Sequence, residues 1–125
     1  WLASASVSPR GDAATLAVQP LAGWRELWLA RRTDASWTLE VQPPATGNPL
    51  AEDLGHLEFA GWAPEATPRL LLARETRVDG RVSRRFEVQL LADGSTERQA
   101  GSPELLAAFK RWADPAWRRG TVSLR

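Results

Sequence analysis

The sequence predicts a mainly β protein, with two four-stranded antiparallel units and one C-terminal α-helix. Three observations carry this. Apolar and polar residues alternate with a period of two through most of the first 100 residues. A block of strands and turns recurs after 55–60 residues. One stretch alone, near the C-terminus, has a helical apolar stripe. The chain has 125 residues, 43% of them apolar, and no cysteine, enough for one domain with a core and without disulfide support.

The strands follow in order. Leu16 and Val18 alternate with Ala17 and Gln19, Leu27 and Leu29 with Glu26 and Trp28, and Trp37, Leu39 and Val41 with Thr38 and Glu40. Turn residues separate these runs at Pro9-Arg10-Gly11-Asp12, Leu21-Ala22-Gly23 and Asp34-Ala35. The Pro- and Gly-containing stretch 43–55 reads as a linker. Beyond it, Leu57–Trp62, Arg69–Arg77 and Arg81–Leu91 read as strands, the second with a three-leucine buried centre. Asp79-Gly80 is a two-residue hairpin signal, and Asp93-Gly94 turns into a short strand over Thr96–Gln99.

The helix is expected over 102–113. Ser102 suits the N-cap, Pro103 the first helical position and Glu104 the positive helix start. Leu105, Phe109 and Trp112 fall at i, i+4 and i+7, which makes them the expected lid-packing or partner-packing residues, and Asp114-Pro115 stops the run. A last short strand is expected over 121–125.

The repeat is the most informative feature. Val7-Ser8-Pro9-Arg10-Gly11-Asp12 before Thr15-Leu16-Ala17-Val18 parallels Gly61-Trp62-Ala63-Pro64-Glu65-Ala66 before Arg69-Leu70-Leu71-Leu72-Ala73. Asp34-Ala35 likewise parallels Asp93-Gly94. Units over 4–42 and 56–100 have the pattern of propeller blades, so the expected fold is two four-stranded antiparallel propeller-like blades plus the helix. The turns Val7-Ser8-Pro9-Arg10-Gly11 and Trp62-Ala63-Pro64-Glu65-Ala66 resemble the TolB-type β-propeller repeat, whose usual turn reads Trp-Ser-Pro-Asp-Gly; the first lacks the Trp and Asp, the second the Gly. That resemblance implies a bacterial, periplasmic or secreted protein with a binding or scaffold role, and it implies no chemistry. Two blades cannot close a ring. The remainder of a longer chain, identical copies in a homo-oligomer, or the C-terminal helix and strand folding back as a lid would have to cover the open faces.

Composition narrows function further. Sixteen Lys and Arg balance fifteen Asp and Glu, which argues against a dedicated nucleic-acid binder. No apolar run is long enough for membrane insertion. Without cysteine, and with His56 the only imidazole, no metal site or cofactor is expected; His56 is expected to bond a nearby backbone group or carboxylate. No nucleophile elbow or phosphate-cradling loop is present, so the chain is expected to be no enzyme. Arg10-Gly11-Asp12 spells an adhesion tripeptide, yet Gly and Asp are what such a turn favours.

Candidate ligand-binding residues are Trp24, as an aromatic plane in a short hairpin turn, with Arg31 and Arg84 as charged donors. The pairs Arg31-Arg32, Arg84-Arg85 and Arg118-Arg119 could form an anion-binding surface, or pair across strands with Glu26, Glu40, Glu75 and Glu87. The expected function is therefore a non-catalytic protein–protein interaction or scaffold module, with a protein as partner. The alternatives are a carbohydrate-binding module formed by oligomerised blade pairs and a regulatory propeller segment of a hydrolase.

Overall fold

A computed structural model describes residues 2–44, 54–78 and 80–120. Eight strands form: β1 (Leu2–Val7), β2 (Ala13–Leu21), β3 (Trp24–Thr33), β4 (Ser36–Gln42), β5 (Leu54–Ala63), β6 (Arg69–Val78), β7 (Arg81–Leu90) and β8 (Thr96–Ala100). A 3-10 turn (Pro103–Leu105) and two short helices, α1 (Ala107–Trp112) and α2 (Pro115–Gly120), follow.

β1 to β4 form one antiparallel meander and β5 to β8 another. The turns close as their residues dictate. Gly11, Gly23, Gly80 and Gly94 all take positive φ, the region glycine enters without steric cost. At the first turn, the Ser8 hydroxyl donates to Asp12 Oδ1 (2.8 Å) and accepts from the Ala13 N–H (3.1 Å). The Asp12 carboxylate is thus engaged within its own turn.

Backbone pairing makes the repeat exact enough to assign equivalent residues. The Arg32 N–H donates to the Asp12 carbonyl (2.8 Å) as the Leu91 N–H does to the Pro68 carbonyl (3.1 Å). Counting inward along each ladder, Ala14 and Leu16 of β2 match Leu70 and Leu72 of β6, and Leu27 and Leu29 of β3 match Phe86 and Val88 of β7. On β2, Thr15 and Ala17 match Leu71 and Ala73.

The sequence implied two separate sheets, whereas all eight strands are joined in one open sheet. The join is a short parallel pairing of Trp24 with Gly55 and Arg25 with His56. The expected linker therefore ends earlier, because β5 begins at Leu54. Gly55 permits the approach: a Cβ there would lie 2.5 Å from the Pro44 side chain and 3.5 Å from the Trp24 ring.

Two cores flank β6. On one side Leu57, Leu70, Leu72 and Leu91 pack against Ala13, Leu27 and Leu29 of the first meander. On the other, Leu71, Ala73, Phe86 and Val88 pack against Leu106, Phe109 and Ala113 of the C-terminal segment. The layers are therefore first meander, second meander, helical cap.

The cap differs from the single helix expected. Leu106 is extended (φ −114°, ψ 115°), which separates the 3-10 turn from α1. That break turns the buried stripe by one residue. Leu106, Phe109 and Ala113 face the sheet, Trp112 is partly buried against it, and Leu105 is 74% exposed. The Ser102 hydroxyl bonds the Glu104 carboxylate and caps no backbone group. Asp114-Pro115 ends α1, as expected, and also starts α2: Asp114 Oδ1 accepts from the Ala116 N–H (2.8 Å), and the missing proline N–H costs nothing at a first helical position. The expected strand over 121–125 lies outside the described residues.

Phe109 meets Phe86 at 5.7 Å and Trp117 at 5.8 Å between ring centroids, both edge-on. Phe109→Ala should cost about 3–5 kcal/mol, and Leu105→Ala no more than about 0.5 kcal/mol, in urea unfolding. Gly61→Ala should undock the cap while leaving the sheet, because its Cβ would sit 2.6 Å from the Trp112 carbonyl oxygen and 3.1 Å from the Asp114 nitrogen. Trp112 and Trp117 fluorescence would shift toward that of exposed indole.

Candidate interaction surface

Equivalent faces of the two meanders have different fates. The face of β6 that carries Leu70 and Leu72 is covered by the first meander. Its counterpart on the first meander carries Ala14, Leu16 and Val18 of β2, with Trp28 and Ala30 of β3 beside them in register. On β4, Leu39 and Val41 lie opposite Ala30 and Trp28, and Trp37 opposite Arg32. Val7 of β1, paired with Ala14, extends the same face.

This surface is open at its margins on β1 and β4 and only partly exposed at its centre on β2 and β3. Val7, Trp37, Leu39 and Val41 are exposed, and the β2 and β3 members are half-buried. Scattered apolar residues are normal on a protein surface, whereas a contiguous apolar face across four strands is less common. Glu26 sits within it, accepting from the indole N–H groups of Trp28 (3.2 Å) and Trp24 (3.4 Å).

A second feature lies where the meanders join. Cross-strand register places Arg25, His56, Glu75 and Arg84 in one row over β3, β5, β6 and β7, with Glu58 close by. A cleft of about 380 Å³ opens beside the row, lined by Arg25, Glu58, Phe59, Asp114 and Trp117 among others. Burial pushes the Glu58 carboxyl up, against the pull of Arg25 and Arg84. Burial also lowers His56, helped by Arg25 and opposed by Glu75. Two guanidinium groups and two carboxylates balance here, so the row acts as a self-neutralised polar seam. Among the described residues no three His, Asp or Glu side chains are grouped to share a metal ion.

The third polar group is Glu87. Its side chain is 3% exposed and meets Arg74 at 2.6 Å and Arg85 at 3.2 Å. Burial alone would raise its pKa; the two arginines outweigh that and hold it below the ordinary value. Arg74 also donates to the carbonyls of Pro43 (3.1 Å) and Pro44 (2.5 Å), which ties the end of the first unit to the second.

The sequence-predicted site residues do not converge. Trp24 is buried, 3% exposed, beside Gly55. Arg31 lies seven residues further along β3, roughly 23 Å away, where it donates to the Ala92 carbonyl (3.0 Å) and pairs with Glu40 (3.2 Å). Arg84 sits over the Phe86 ring at 5.3 Å. Of the expected lid residues, Phe109 is fully engaged and the Trp112 indole donates to Glu65 (3.2 Å), whereas Leu105 faces away. Sequence reasoning missed Leu106 as a cap residue and Glu58 as a half-buried carboxyl. The available signal for Glu58 was its position between the apolar Leu57 and Phe59.

No family model, curated protein or solved structure matches the chain.

Buried Glu87 and half-buried Glu58 should respond oppositely to acid. Glu87 has a depressed folded-state value, so its contribution is complete above the ordinary glutamate value of about 4.3 and is lost as the pH falls through the folded value. Glu87→Gln should therefore cost about 1.5–3 kcal/mol at pH 7 and progressively less in acid. Glu58 has a raised value, so its charged form weakens the fold above that value. Glu58→Gln should leave stability at pH 7 equal or higher and remove the gain seen on mild acidification. Urea unfolding from pH 7 to pH 3 checks both signs.

Proposed function

We propose that this chain is a non-catalytic protein–protein interaction or scaffold module, acting as a two-unit segment of a propeller-like repeat. The observation that supports it is the uncovered apolar face of the first meander. In the second meander the equivalent face is filled by a neighbouring four-stranded unit, so the chain itself contains an example of what such a face accepts. The opposite end is closed by the helical cap. The module is thus one-sided: it receives a partner over Leu16, Trp28 and Leu39, and stops further stacking beyond β7.

The partner's chemistry follows from the filled example. Against Leu70 and Leu72 the first meander presents Ala13, Leu27 and Leu29, small and branched aliphatic residues. A partner for the open face presents a similar surface, with a donor for Glu26 at its rim. We read the Pro-centred turns as those of a TolB-like repeat, whose units stack in this way.

Photo-crosslinking tests this reading. A benzophenone amino acid at position 16 or 28 should give one discrete protein adduct in cells, and the same probe at position 82, on the β6–β7 hairpin, should give none. Equal labelling from all three positions would contradict the reading. Saturable quenching of tryptophan fluorescence by free sugars, without a protein adduct, would replace it with the carbohydrate-binding alternative.

A further inference from the structure

Each meander ends in an outer strand, and the two outer strands differ in kind. β8 has five residues, Thr96–Ala100, all polar or charged before Ala100, and a register shift interrupts its pairing with β7 at Val88/Gln89. Short, charged, kinked edges refuse a further strand. β4 has seven residues, Ser-Trp-Thr-Leu-Glu-Val-Gln, paired with β3 without a shift from Leu27–Gln42 to Thr33–Ser36. It holds no proline and no lysine, and its one charge, Glu40, is paired with Arg31. Among the described residues none of the usual guards is present.

The hairpin fixes which backbone groups this edge offers. Across the two-residue loop Asp34-Ala35, Thr33 and Ser36 form the bonded pair next to the turn, and bonded pairs recur at every second residue. Thr38, Glu40 and Gln42 therefore bond to β3. The N–H and C=O groups of Trp37, Leu39 and Val41 point off the edge. Among the described residues β4 pairs with β3 alone, and the side chains of these three are 52%, 56% and 47% exposed.

We propose that the β4 edge is a strand-addition interface whose occupant is a second copy of this chain, β4 running antiparallel to β4 about a two-fold axis at Leu39. Leu39 is the middle residue of Ser36–Gln42, so this register overlaps the whole strand. It sets Leu39 against Leu39 and Trp37 against Val41 as bonded pairs, so every outward N–H and C=O finds a partner. It also sets an aromatic against a β-branched side chain, a favourable cross-strand pair. Glu40 falls opposite Thr38, whereas an axis at Glu40 would oppose two carboxylates. A net charge of +1 per chain leaves little repulsion between copies. This interface goes beyond the proposed function, because it uses the strand edge and leaves most of the sheet face free.

Light scattering on the intact chain, run against concentration, should show a species of twice 13.8 kDa. Leu39→Pro removes an outward N–H while leaving the β3 ladder intact, and should give a monomer with an unchanged far-ultraviolet circular dichroism spectrum. Should that variant unfold, Leu39→Cys replaces it. The chain has no other cysteine, and Cα atoms of a bonded antiparallel pair lie about 5.5 Å apart, within disulfide reach. Oxidation should then yield covalent dimer faster than for Val82→Cys, an exposed control. Leu16→Glu, on the open face but two strands from this edge, should still dimerise. A monomer at every concentration, a dimer that survives Leu39→Pro, or cross-linking of Leu39→Cys no faster than of Val82→Cys overturns the proposal. So does dimerisation abolished by Leu16→Glu alone, which would assign the contact to the sheet face.

Discussion

Everything in this molecule hangs on β6 being buried on both faces. Leu70 and Leu72 point one way and Leu71 and Ala73 the other, and the three leucines are fully buried. An amphipathic strand needs one partner layer; a strand apolar on both faces needs two. The first meander supplies one layer and the helical cap the other. Among the described residues the first meander carries exposed Val7, Trp37, Leu39 and Val41 on its outward face.

The same constraint explains where the polar groups sit. With both faces of β6 committed to apolar packing from Leu70 to Ala73, its charges fall at the ends: Arg69, paired with Glu97, at the start, and Arg74, Glu75 and Arg77 in the second half. There Arg74 meets Glu87, and Glu75 lies in the row with His56 and Arg84. These groups are paired across strands, which lets buried carboxylates persist. The pairs tie strands together at the point where the hydrophobic layers thin out, and Arg74 carries the tie across to Pro43 and Pro44.

Strands and turns were legible in the sequence because alternation and Gly- or Pro-marked turns are local signals. The repeat was legible for the same reason, and it identifies which residues are equivalent. Four things were not. The parallel join of β3 to β5 rests on two residue pairs, too short to leave a pattern. The cap's buried stripe moved from Leu105 to Leu106 because the chain leaves its 3-10 turn at an extended residue, and periodicity counted from Pro103 cannot register that step. Trp24 read as a ligand platform because it begins a strand after a turn; burial came from Gly55 and Pro44, distant in sequence, closing on it. The charged row over Arg25, His56, Glu75 and Arg84 depends on long-range register and has no local signature at all.

Native-state hydrogen exchange, resolved residue by residue, addresses the two-sided burial of β6 most directly. If β6 is the strand on which both layers depend, the amides of Leu70, Leu71, Leu72 and Ala73 exchange last, only through global unfolding. The outward amides of Trp37, Leu39 and Val41, unbonded in a monomeric sample, exchange fast and without any opening. Slowest exchange in β2 and β3, with β6 opening together with the cap, would contradict the account and place the stable core in the first meander.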